Sequence, residues 1–119
     1  MTTEEMAALV RLWFEQASRG FGHLLPDGWF GGRPYENQYV LIGVQVSDDS
    51  FVVILSEGTK LVVKKPKQVY VENSQLVIEG YEEATLRWKH YGGTDERELR
   101  YSDGQIRFVP PVGTVVSLK

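Results

Sequence analysis

Apolar positions in this chain keep one period up to residue 19 and another from residue 38 onward. Met6, Leu9, Val10, Trp13 and Ala17 recur at spacings of three and four, which places them on one face of a helix. Leu12 and Phe14 widen that stripe. Thr2 and Glu5 have capping-box spacing, and Glu4 and Glu5 suit the positive end of a helix dipole. The pattern predicts a helix over 2–19, stopped by Gly20 and Gly22.

From residue 38 the side chains alternate with period two, the mark of strands with one buried face. A turn at Asp48-Asp49 would pair Val46 with Phe51, Val44 with Val53 and Ile42 with Leu55. A turn at Asn73-Ser74 would pair Val71 with Leu76 and Val69 with Ile78. One at Asp103-Gly104 would pair Tyr101 with Ile106 and Leu99 with Phe108. Further strands are expected over 59–65 and 83–91, with a last short one over 114–118. Val52 and Ile54 are apolar on the face opposite Phe51, Val53 and Leu55, so cover is expected on both faces, the helix supplying one.

Between the two regimes lies a segment rich in glycine and aromatics. Residues 20–37 read as an ordered, packed loop, because repeated glycine and proline interrupt regular structure while Leu24, Leu25, Trp29, Phe30 and Tyr35 are too apolar for a loose linker. The chain therefore reads as a single α+β domain over 1–119. An N-terminal amphipathic helix precedes an antiparallel β-meander over 38–118, of about eight strands, strongly bent or forming a partial barrel.

Composition changes this picture little. With 119 residues, a hydrophobic fraction of 42% and a charged fraction of 24%, the chain suits one globular core. It has no cysteine, which removes disulfides, thiol catalysis and cysteine zinc sites. No stretch approaches the roughly 20 apolar residues of a membrane-spanning helix, and the acidic start lacks a secretory pattern, so a cytoplasmic location without membrane contact is expected. A net charge of −3 argues against nucleic acid as a partner. The run Lys60, Lys64, Lys65, Lys67 is read as edge-strand protection.

Candidate chemistry is sparse. His23 and His90 are far apart in sequence and no metal-ligand spacing appears, so neither a metal nor another cofactor is expected. No catalytic constellation singles itself out, which inclines the reading away from an enzyme. The segment 27–35 is the most suggestive feature. Trp29, Phe30, Arg33 and Tyr35 belong to the residue types that anchor binding interfaces. The competing reading makes Trp29 and Phe30 the closure of the core. Trp88 and His90 share a strand face that could line a pocket if the sheet curls. A non-enzymatic protein-binding module with Trp29, Phe30, Arg33 and Tyr35 as anchors is the leading expectation. The alternative is a carrier of an apolar small molecule, with Trp88 and His90 in its pocket. Self-association into a homodimer is a further expectation, through an uncovered strand edge or the helix.

Overall fold

Thr2 and Glu5 close both halves of the capping box: the Glu5 amide donates to the Thr2 hydroxyl at 3.1 Å, and the Thr2 amide donates to the Glu5 carboxylate at 2.9 Å. Helix α1 runs from Thr3 to Ala17. It ends at Ser18, whose φ of 70° turns the backbone left-handed while its N–H donates to the Phe14 carbonyl at 2.8 Å. The stop therefore precedes both expected glycines. Met6, Ala7, Val10, Trp13, Phe14 and Ala17 are buried, whereas Leu12 remains exposed. No helix among the described residues is long and apolar enough to cross a membrane. The computed structural model describes residues 1–25, 28–29, 38–89, 96–102 and 104–118.

Eleven strands follow among these residues: β1 Gly20–Leu25, β2 Gly28–Trp29, β3 Gln38–Tyr39, β4 Leu41–Val46, β5 Ser50–Leu55, β6 Thr59–Lys64, β7 Gln68–Glu72, β8 Gln75–Glu79, β9 Glu83–Lys89, β10 Glu96–Tyr101 and β11 Gln105–Val109. They form two antiparallel sheets. The first has the order β2-β1-β11-β8-β7, with β3 also pairing β1, and the second β10-β9-β6-β5-β4. The fold is α+β, but the single meander and partial barrel give way to two sheets, and neither is closed among the described residues.

The chain changes sheet repeatedly, which period-two spacing does not register. Val40 alone separates β3 in the first sheet from β4 in the second. The β6–β9 pair continues around a corner into the β7–β8 pair. That corner is held by Glu82 N–H donating to Lys64 O at 2.9 Å, and by Lys65 and Lys64 reaching Glu82 at 3.1 and 3.8 Å. Gly80 sits there at φ 73°, where an added Cβ would lie 2.7 Å from the Cβ of Lys67. The lysine run thus builds a corner, and β6, lying between β5 and β9, is not an edge strand.

Other expectations also change. Residues 20–25 form a strand instead of a loop, because pairing with β11 on one side and with β2 and β3 on the other outweighs the poor strand propensity of glycine. The Asp103-Gly104 hairpin does not form: β10 pairs β9, and β11 pairs β1 and β8. No strand covers 114–118; Val116 tucks into the core and its N–H donates to the Ser74 hydroxyl at 3.1 Å. In the β4–β5 hairpin Val44 pairs Val53 and Val46 pairs Phe51, but a bulge puts Leu41 opposite Leu55 and leaves Ile42 68% exposed. The β7–β8 hairpin has the expected register, with Asn73 and Ser74 both at positive φ.

One core joins helix and sheets. Trp13 and Phe14 meet Phe108 of β11, with Phe51, Leu61 and Leu86 among the fully buried residues of the second sheet. Each such side chain contributes about 1.5–3 kcal/mol of burial. Because α1 shares this core with Phe51, Val53 and Leu55, it does not cover Val52 and Ile54, which stay partly buried on the other face.

Candidate functional site

The strand registers of the first sheet align one residue from each of five strands: Trp29 opposite His23, His23 opposite Arg107, Arg107 opposite Val77, and Val77 opposite Tyr70. Within β1, β11, β8 and β7, alternation puts this row on the face away from the core, since its neighbours Leu76, Ile78, Ile106 and Phe108 point inward and are fully buried. Val77 is nevertheless fully buried too, which is unusual for the outer face of a sheet and shows that its neighbours lie across it.

Arg107 organises the face. Its Nε donates to Gln105 Oε1 at 2.6 Å, Nη1 to Gln75 Oε1 at 3.0 Å and Nη2 to Glu72 Oε2 at 2.9 Å. Gln105 in turn donates through Nε2 to Glu79 Oε2 at 2.7 Å. The Arg107 side chain is only 21% exposed, so its bond to Glu72 is better shielded from water than the ion pairs at the Glu82 corner. Glu79 also lines the hollow beside Tyr70. Burial, then the charge and hydrogen bond of Glu79, then the charge of Glu72 hold the Tyr70 hydroxyl above its ordinary pKa, with Arg107 opposing. Burial lowers the pKa of His23 in the same row.

At the β7 side of this network lies a hollow of about 550 Å³ lined by Met1, Lys67, Gln68, Val69, Tyr70 and Glu79. The face therefore offers an aromatic hydroxyl, two carboxylates and an arginine beside a concavity. It is suited to recognition by contact. Among the described residues no group of three or more His, Asp or Glu could hold a metal ion.

Of the residues singled out from sequence, the backbone of Trp29 lies in β2 at the end of the row. Phe30, Arg33 and Tyr35 lie outside the described residues, as does His90. Trp88 is on β9 opposite Arg97, partly buried and packed against the core. Arg107, Tyr70, Gln75, Gln105 and Glu79 were missed. Their signal was present in the alternation of Gln105 and Arg107 against Ile106 and Phe108, but recognising it required knowing that β11 adjoins β8.

No protein-family model, no curated protein and no solved structure matches the chain.

Proposed function

We propose that this protein is a non-enzymatic interaction module, and that the outer face of the first sheet engages a protein partner, with Trp29, Phe30, Arg33 and Tyr35 as further anchors. The observation that supports this reading is the Arg107 network. Five polar side chains are locked to one another on an outward face, beside a hollow and in register with Trp29. Side chains already immobilised lose little entropy when a partner docks. Arginine, tyrosine and tryptophan are also the types that dominate interface energetics. Of the anchors named from the sequence, Trp29, Arg33 and Tyr35 are of these same residue types and Phe30 is aromatic.

The carrier reading has less support. Phe51, Leu61, Leu76, Leu86, Ile106 and Phe108 fill the inner faces of both sheets at 0–1% exposure.

The test compares proteins captured from the source cell by the wild-type chain, by Trp29→Ala and by Tyr70→Ala. The reading expects a specific partner that both variants lose, with the melting temperature of Trp29→Ala nearly unchanged. Undiminished capture by both variants, or a large stability loss in Trp29→Ala, would overturn it.

A further inference from the structure

We propose that β10 is a self-association edge, through which two copies of this chain pair antiparallel about a two-fold axis at Leu99. The three long edges of the two sheets are not equivalent. Strands β4 and β7 both lie against α1, and on β4 the Arg11 Nη2 donates to the outer carbonyl of Val44 at 2.8 Å, so the helix holds a group of the β4 edge. Among the described strands β10 pairs with β9 alone, and its residues 96–100 are all exposed. Leu99 lies on it, 40% exposed, although its register neighbour Leu86 is 1% exposed.

Charge along β10 commits the edge to one occupant. Its sequence is Glu96-Arg97-Glu98-Leu99-Arg100-Tyr101. With Leu99 opposite itself, Glu98 faces Arg100 of the partner subunit and Arg97 faces Tyr101 of the partner subunit, and symmetry makes each pairing twice. The apolar residues meet at the axis, two opposite-charge pairs flank them, and an arginine lies opposite a tyrosine beyond. Slipping the register by one residue sets Leu99 against Glu98 and Arg97 against Arg100. Slipping it by two sets Glu98 against itself. Charges on an edge strand ordinarily deter pairing; here like charges meet in either two-residue slip, Glu98 or Arg100 facing itself, and none meet in the register centred on Leu99. Glu98 is already held by Arg87 at 3.0 Å and Arg100 at 3.4 Å, so it needs little ordering to meet a partner.

Sedimentation equilibrium of the wild-type chain, combined with cysteine trapping, tests this. The chain has no cysteine of its own, so an introduced thiol reports one place. At the axis two Leu99 positions would lie about 4.5–5.5 Å apart between Cα atoms, within disulfide reach. Two Arg97 positions would be separated by about 13 Å. The expected result is a reversible dimer that Leu99→Cys traps under mild oxidation and Arg97→Cys does not. Arg100→Glu, which sets like charges opposite one another twice, should weaken association roughly tenfold or more with an unchanged melting temperature. A wild-type chain that sediments as a monomer at high micromolar concentration overturns the proposal. So does a dimer trapped by Arg97→Cys but not by Leu99→Cys, or one indifferent to Arg100→Glu.

Discussion

The indole N–H of Trp13 donates to the main-chain carbonyl of Ser74 at 2.8 Å, tying the middle of α1 to the turn of the β7–β8 hairpin. Trp13 is wholly buried and packs edge-on to Phe14 at 4.9 Å between ring centres. Replacing it by Phe would leave a void and remove the donor of Ser74. Trp13→Phe should cost about 2 kcal/mol or more, read as a lowered urea midpoint.

Gly20 lies where the aromatic cluster meets β1. A Cβ there would lie 2.9 Å from Trp13 and 3.2 Å from both Phe14 and Phe108, all enclosed side chains. Gly20→Ala should destabilise by about 1–3 kcal/mol through overpacking, despite the better strand propensity of alanine. Equal or higher stability in denaturant titration would show that the three rings can shift.

Ser74 serves two segments: its carbonyl accepts from Trp13 and its hydroxyl accepts from the Val116 amide. Its φ of 66° is one glycine adopts freely. In Ser74→Gly, relief of about 1 kcal/mol of backbone strain should roughly offset a lost hydrogen bond of about the same size. The melting temperature should therefore hardly move while the Val116 amide exchanges faster with deuterium.

Tyr70 supplies a pH signature. Its raised pKa means that the folded chain holds the phenol proton more tightly than the unfolded one. That stabilisation is complete below the ordinary value of 10.0 and is lost as pH rises through the higher folded value. A phenolate absorbance titration should show a late component that Tyr70→Phe removes, and the variant should lose less stability than wild type across that alkaline range.

Local rules were legible in the chain, and long-range partners were not. The Thr2–Glu5 cap and the Asn73-Ser74 turn depend on neighbours a few residues apart, so spacing alone revealed them. Leu99 and Tyr101 alternate as well with Ile106 and Phe108 as they do with Leu86 and Ala84. The period-two signal therefore could not distinguish a hairpin from a change of sheet. The Arg107 face was hidden for the same reason, because Arg107, Gln75 and Glu72 meet only once β11 adjoins β8 and β8 adjoins β7. Ile42 misled because one extra residue at the bulge exchanges inside for outside.

The pairing of β1 with β11 dictates an order of assembly. Phe21 has Gln38 as its register partner on one side, but on the other its partner is Val109 of β11. On a ribosome, β1 would emerge before every strand from β2 to β10, and its ladder with β11 would wait for all of them. The ribbon from β6 to β9, closed by its own tight turn, can zip as soon as it leaves the tunnel. The β7–β8 hairpin and the β6–β9 pair that it brings together should thus be the nucleus, and the β1–β11 ladder the late, slow step.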